Sequence, residues 1–110
     1  MPQDQAKKTV LSFIKAMNAE DFNAARSYVD ESMDFIGVMG TRHGAEAYFK
    51  DMEKMKFKYE VEKVFADETD VCLWYTINMS GKKIPTAGWY HLEDGKIREF
   101  KVLFDPRPLL

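Results

Sequence analysis

The feature that most constrains the fold is a change of hydrophobic period at Phe57. Before this residue, apolar side chains recur at intervals of three and four, which is typical of amphipathic helices. After it, apolar and polar residues alternate, as they do in strands with one buried face. Helices that precede a run of strands must bury their apolar stripes against the sheet, so the pattern predicts an α+β fold.

The first half is predicted to hold three helices and one strand. The helices cover residues 4–18, 22–30 and 45–55, and the strand covers residues 33–39, where a short apolar run stops at Gly40.

Asp105 follows the last predicted strand, at residues 97–104, and is expected to have a turn or capping role.

The second half is predicted to form four strands in the order of an antiparallel meander, over residues 57–65, 71–79, 84–92 and 97–104. The complete order is α-α-β-α-β-β-β-β. Residues 71–79 are almost continuously apolar, which indicates a strand covered on both faces. A phase slip at residues 63–65 indicates a β-bulge that bends the sheet. A curved sheet that the helices do not fill leaves one cone-shaped pocket.

Composition favours one domain over residues 1–110, because 45% of the residues are hydrophobic. A net charge of -2 without a basic run argues against nucleic acid and anionic membranes as partners. No segment approaches the roughly 20 apolar residues of a membrane span, and the N-terminus lacks an apolar signal segment, so we expect a cytoplasmic protein. Cys72 is expected to pack, and two distant histidines predict neither a metal site nor a cofactor.

Aromatic residues are predicted on both faces of the sheet. Trp74 and Trp89 have the opposite strand parity to Tyr75 and Tyr90, which we place inside. An exposed apolar patch predicts a homodimer through the convex face, with His91 beside Trp89. The alternative is that the third helix covers this face.

Three segments resemble the nuclear transport factor 2-like superfamily, which includes ketosteroid isomerases and SnoaL-like polyketide cyclases. They are FIKAMNAEDF at residues 13–22, HGAEA at residues 43–47, and DGKI at residues 94–97 leading to FDP at residues 104–106. The resemblance depends on the order of these three segments along the chain. The resemblance implies a cone-shaped sheet packed against three helices around one pocket.

The resemblance also implies which residues of this chain stand at the positions of the reactive groups of a ketosteroid isomerase. The base falls on Asp34, the oxyanion tyrosine on Phe13, and the oxyanion aspartic acid on Gly88. The last two positions lack donors, and loss of one such donor raises a barrier by about 2.7 to 4 kcal/mol. Steroid isomerisation is therefore disfavoured, and Tyr75 or Tyr90 is the candidate replacement donor.

Asp34 is the candidate catalytic base, because a carboxylate between Met33 and Phe35 is unfavourable to bury unless it is paired or functional. In a dry pocket its pKa would rise toward neutrality. The alternative is a solvated Asp34 beside Ser32 at the start of the strand.

The side chains expected to line the pocket come from helix spacing and strand parity. They are Phe13, Met17, Ile36, Met52, Ile77, Phe100, Val102 and Phe104, together with Tyr75 and Tyr90. Such a wall suits a small apolar or amphipathic molecule. We therefore expect a small-molecule-binding homodimer. The alternatives are an isomerase, cyclase or dehydratase that uses Asp34 for proton transfer, and a structural or adaptor homodimer with a filled interior.

Overall fold

The helices of the first half lie close to their predicted positions. In the computed structural model, which describes residues 2–110, α1 spans Pro2–Asn18, α2 spans Phe22–Ser27 and α3 spans Ala45–Met55. Asp21 caps α2 by accepting a hydrogen bond from the Ala24 N–H at 3.1 Å. None of the helices within residues 2–110 combines the length and apolar content needed to cross a membrane.

The first strand begins and ends earlier than predicted. Strand β1 spans Val29–Ile36, and a second strand, β2 (Thr41–His43), pairs with it. Residues 37–40 form the turn between them, closed by the Gly37 N–H, which donates to the Gly40 carbonyl at 2.9 Å. Strand β2 was not predicted, because its three residues are all exposed and carry no alternating pattern.

The second half forms the four predicted strands: β3 (Lys58–Ala66), β4 (Asp70–Met79), β5 (Lys82–Glu93) and β6 (Lys96–Phe104). Two-residue turns join β4 to β5 and β5 to β6. Ser80 and Gly81 have φ values of 55° and 89°, and Asp94 and Gly95 have values of 52° and 78°. Positive φ at both central residues is the type I′ geometry, whose twist matches that of paired strands.

The strands form one curved, open sheet in the order β2-β1-β6-β5-β4-β3. The predicted α+β fold class is confirmed, and a register shift between Val61 and Lys63 confirms the bulge in β3. One detail differs from the predicted antiparallel sheet, because β1 pairs with β6 in parallel. The long segment from β2 to β5 separates these two strands in sequence, and parallel neighbours require such a connection.

The predicted cover on both faces of β4 is wrong. Its odd-numbered side chains are buried, whereas Cys72 and Trp74 are exposed on the outer face. The apolar run therefore contains two sets of side chains, one in the core and one outside. Cys72 does not have the predicted packing role. Asp105 has the turn role, one of the two roles expected for it, because its carboxylate accepts the Arg107 N–H two residues on at 3.0 Å.

The core lies between the concave face of the sheet and the helices. Helix α1 contributes one apolar stripe to it, made of Ala6, Val10, Phe13, Ile14 and Met17. Helix α3 contributes a second stripe, made of Ala45, Tyr48, Phe49 and Met52. The helices thus cover part of the concave face and leave the rest to the cavity described below.

The last residue of α1 attaches the helix to the edge of the sheet. The Asn18 amide nitrogen donates to the Tyr59 carbonyl at 2.8 Å, and the Asn18 amide oxygen accepts the Tyr59 N–H at 2.7 Å. Lys58 adds a bond from its ammonium group to the Asn18 carbonyl at 2.9 Å. Because β3 is an edge strand, part of its backbone has no strand partner, and one side chain satisfies both groups of Tyr59.

We expect Asn18→Ala to lower the free energy of unfolding by about 1 to 3 kcal/mol, because it leaves two partly buried backbone groups without partners. Urea denaturation followed by circular dichroism measures this change. The control is Asn23→Ala, at an exposed position of α2. Equal stabilities for the two variants would show that the Asn18 attachment contributes nothing.

Candidate functional site

A cavity of about 390 Å³ lies between α3 and the concave face of the sheet. This volume is within the usual range for small-molecule sites, about 300 to 1,000 Å³. Most of the wall is apolar. The apolar lining comprises Phe35, Val38, Met39, Met52, Met55, Phe57, Ile77, Met79, Phe100, Val102, Phe104 and Leu109. The site can therefore bury the apolar part of a small molecule.

Five of the predicted pocket residues line this cavity, namely Met52, Ile77, Phe100, Val102 and Phe104. Phe13 and Met17 are buried deeper, in the core under α1. Ile36 lies on the outer face and is 37% exposed, because Phe35 is the residue of β1 that faces inward. The predicted inward position of Ile36 is thus corrected by one residue.

Phe35, Tyr48 and Tyr59 are among the wall residues that were not predicted. Phe35 was missed because of the parity error in β1. Tyr48 lies four residues before Met52 on the same face of α3, and Tyr59 has the same parity as Phe57. Those two spacings could have identified both tyrosines as wall residues.

Aromatic rings close the deep end of the cavity. The Phe100 ring stacks on Tyr90 with a centroid distance of 4.1 Å and an angle of 17°. It also meets Phe35 at 5.3 Å, Tyr48 at 6.1 Å and Phe13 at 6.5 Å, in tilted or edge-on contacts. Edge-on and offset pairs of this kind stabilise a packed aromatic cluster. The cavity therefore ends at Phe100, and Phe13 lies behind it.

The candidate donors Tyr75 and Tyr90 bond to each other. Their hydroxyl oxygens are 2.8 Å apart, and both side chains are fully buried. Neither residue lines the cavity. A side chain at Gly88 would collide with the Tyr75 hydroxyl. The tyrosine pair thus fills the volume beside the position at which the resemblance places an aspartic acid.

Burial keeps four phenols protonated. Loss of solvent is the largest cause that raises the pKa of Tyr48, Tyr59, Tyr75 and Tyr90. Tyr48 and Tyr59 line the cavity, and the Tyr59 hydroxyl donates to the Met52 sulfur at 3.9 Å. Burial therefore favours the neutral, protonated form of each of these phenols.

Asp34 lies outside the cavity, on the outer face of β1. Its carboxylate is 2.8 Å from His43 Nδ1 and 3.7 Å from the Arg98 guanidinium, and its side chain is 35% exposed. The hydrogen bond with His43 is the main cause that lowers the pKa of Asp34. The structure agrees with the solvated alternative, and the rise expected for a dry pocket does not occur, because the carboxylate is paired and partly exposed.

The charged groups of the cavity wall lie at its mouth. Arg42 Nε donates to Asp51 Oδ2 at 2.7 Å, and Arg42 Nη1 donates to the Thr41 carbonyl at 3.0 Å. Met39, in the turn above, is largely exposed. Within residues 2–110, no three His, Cys, Asp or Glu side chains come together as a metal site would require. The arrangement places a neutral ion pair at the opening and neutral phenols farther inside.

The outer face of the sheet carries large exposed apolar side chains. Trp74, Trp89 and Leu103 are 46%, 48% and 71% exposed. We call this group the outer-face patch, and its members are Ile36, Phe65, Cys72, Trp74, Ala87, Trp89 and Leu103. The strand register places Trp74 beside Ala87 and Ala87 beside Leu103, and it places Trp89 beside Cys72.

A polar row borders the outer-face patch. It follows the register across five strands and consists of His43, Asp34, Glu99, His91 and Asp70. His91 Nδ1 lies 2.6 Å from Asp70, and His91 Nε2 lies 3.2 Å from Glu93. The hydrogen bond with Asp70 is the main cause that raises the pKa of His91. This side chain therefore belongs to a surface network and not to the cavity.

The Tyr75–Tyr90 pair generates a prediction about stability. We expect Tyr75→Phe to lower the free energy of unfolding by about 1 to 3 kcal/mol, because the Tyr90 hydroxyl loses its partner in a buried site. The double variant Tyr75→Phe/Tyr90→Phe removes both groups and should be less destabilised than the sum of the two single variants. Urea unfolding of all four proteins gives the coupling free energy. A coupling free energy of zero would contradict this account of the pair.

Comparison with known proteins locates the chain among relatives. The sequence profile of the SnoaL-like domain family matches residues 10–100. An NTF2-like protein of unknown function from Cytophaga hutchinsonii has 54% identity and a TM-score of 0.93, over 94% of this chain and 93% of that chain. No match was found among curated proteins.

More distant solved structures share the fold alone. A proposed SnoaL-like polyketide cyclase from Jannaschia sp. has 16% identity and a TM-score of 0.83, over 97% of this chain and 90% of that chain. An LEH-like epoxide hydrolase from M. tuberculosis has 18% identity and a TM-score of 0.84, over 97% of this chain and 87% of that chain. One architecture therefore carries different described activities.

Proposed function

Because the chain belongs to the SnoaL-like domain family of NTF2-like proteins, we propose that it binds a small apolar or amphipathic molecule in the cavity beside α3. The observation that carries this proposal is the open volume of about 390 Å³ within a mainly apolar wall. An apolar molecule placed there loses contact with water over the surface that it buries, and this loss is the main source of affinity in such sites.

The proposed contacts come from strands and one helix. Met52 of α3 lies on one side of the cavity, and Ile77, Phe100, Val102 and Phe104 form the sheet side. Methionine adapts to ligand shape because it is unbranched and flexible. The rigid strands hold the other four side chains in register.

Two observations favour binding over the alternative functions. Catalysis through Asp34 requires that carboxylate to reach the ligand, whereas it lies on the opposite face of the sheet and is paired with His43. An adaptor with a filled interior requires side chains where the cavity is open. The relatives described as a cyclase and as an epoxide hydrolase are too distant for their activities to be transferred.

Dye binding tests the proposal. We expect N-phenyl-1-naphthylamine, an uncharged apolar dye, to fluoresce on binding and Val102→Phe to weaken that binding at least about tenfold by filling the cavity, a loss of about 1.4 kcal/mol. The matched control is Leu103→Phe, one residue along β6 on the outer face. A larger loss of dye binding in the Leu103 variant would place the dye on the outer-face patch and contradict a cavity site.

We further propose that the outer-face patch binds the same patch of a second copy of this chain. Tryptophans at the centre and a polar row at one side match the usual composition of protein interfaces, in which aromatic residues are enriched and charges lie at the rim. Lys101 lies over the Trp89 ring at 5.0 Å, so part of this aromatic surface already has a cation partner. A patch that meets its own copy forms a closed, two-fold dimer.

Sedimentation measures the predicted association. We expect the protein to sediment as a dimer and Trp74→Glu/Leu103→Glu to sediment as a monomer, because two buried, unpaired carboxylates per subunit oppose association. Lys83→Glu, which alters an exposed side chain of β5, is the control and should remain dimeric. A monomeric parent protein, or a dimeric double variant, would contradict an interface at this patch.

A further inference from the structure

We propose that the cavity is specific for ligands with a neutral acceptor oxygen, such as a ketone or aldehyde, held by the hydroxyls of Tyr48 and Tyr59. This inference rests on the proposed ligand binding and names the chemical class that the same site would select. Its basis is the placement of two phenol hydroxyls beside a mainly apolar wall.

The two phenols come from different elements of the cavity wall. Tyr48 projects from α3 and Tyr59 from β3, and both are among the residues that line the open volume. The Tyr59 hydroxyl lies 3.9 Å from the sulfur of Met52, which is one helical turn after Tyr48 on α3, and a hydrogen bond between the two phenols contributes to the pKa of each. A ligand oxygen that takes the place of this mutual contact has two lone pairs and can accept a hydrogen bond from each hydroxyl.

The Tyr59 hydroxyl has a weak partner within the protein. It donates to the Met52 sulfur at 3.9 Å, and a thioether is a weak acceptor. A carbonyl oxygen is a much better acceptor, so binding a carbonyl compound replaces a weak hydrogen bond with a strong one. This exchange gives a ligand with an oxygen an advantage over a hydrocarbon of the same shape.

The charges around the cavity favour a neutral oxygen over a carboxylate. The lining cation is Arg42, at the mouth, and its guanidinium already binds Asp51 and the Thr41 carbonyl. A carboxylate beside Tyr48 would lose its hydration without gaining a cation at that depth, which is unfavourable. A ketone loses far less hydration and keeps both phenol hydrogen bonds.

The apolar part of the cavity wall explains why the ligand oxygen would lie beside the two phenols and not elsewhere. Phe35, Phe100 and Val102 offer no polar group, and the Tyr75–Tyr90 pair behind Phe100 does not reach the cavity. A flat ketone is therefore oriented with its hydrocarbon part against Phe35, Phe100 and Val102 and its oxygen toward Tyr48 and Tyr59.

Two probes of equal shape test this inference by competition with N-phenyl-1-naphthylamine. They are 2-acetonaphthone and 2-isopropenylnaphthalene, in which a CH₂ group replaces the ketone oxygen. We expect the parent protein to bind the ketone about tenfold more tightly, the difference that two modest hydrogen bonds provide. Tyr48→Phe and Tyr59→Phe should each reduce this preference, and the double variant should abolish it.

The control variant is Tyr28→Phe, whose side chain does not line the cavity and which should keep the full preference. Equal affinity of the parent protein for the two probes would overturn the inference while leaving the proposed binding site intact. Failure of the dye and both probes to bind would instead overturn the proposed function. Tighter binding of 2-naphthoate than of 2-acetonaphthone would show that the site selects an anion, which also overturns the inference.

The ratio of the two probe affinities, measured on the parent protein, tests the preference for a ketone without any variant, because both probes bind the same folded chain. For each phenylalanine variant, circular dichroism and retained dye affinity establish that the cavity is still formed. A variant that keeps dye binding and keeps the tenfold preference shows that its hydroxyl does not hold the oxygen.

Discussion

The attachment of α1 to the edge strand β3 determines how the rest of the molecule is arranged. A six-stranded open sheet has a free edge, and Asn18 occupies it at Tyr59 with a donor and an acceptor from one amide. This contact orients the apolar stripe of α1 toward the concave face, with Phe13 behind Phe100. Tyr59, whose backbone is held by Asn18, also contributes its ring to the cavity. The same residue therefore connects the helix, the sheet edge and the site.

Much of the fold could be predicted from the sequence, because the change from helical to alternating period is strong in each half of the chain. The predictions that failed in β1 and β4 concern strands with apolar side chains on both faces. Residues of β1 carry apolar side chains at both parities, so composition cannot tell whether Phe35 or Ile36 faces inward. In β4 the outer apolar side chains suggested a covered strand, whereas they form the outer-face patch.

The error at Asp34 shows why a site is harder to predict than a fold. A carboxylate among apolar neighbours indicated a buried base, but its partner is His43, on a strand of three exposed residues that has no sequence pattern. The two phenols of the cavity wall, Tyr48 and Tyr59, lie on elements that were predicted correctly. Strand pairing decides the position of Asp34, whereas helix or strand spacing would have been enough to identify the two tyrosines.

The Tyr75–Tyr90 pair has a consequence for how the interior can respond to change. Either hydroxyl can be the donor in their shared hydrogen bond, so the pair has two proton arrangements with the same heavy-atom positions. Reversal of the bond turns the polarity of the buried pair around without moving a ring. The packed aromatic cluster under the cavity can therefore reorganise its dipoles while its shape stays constant.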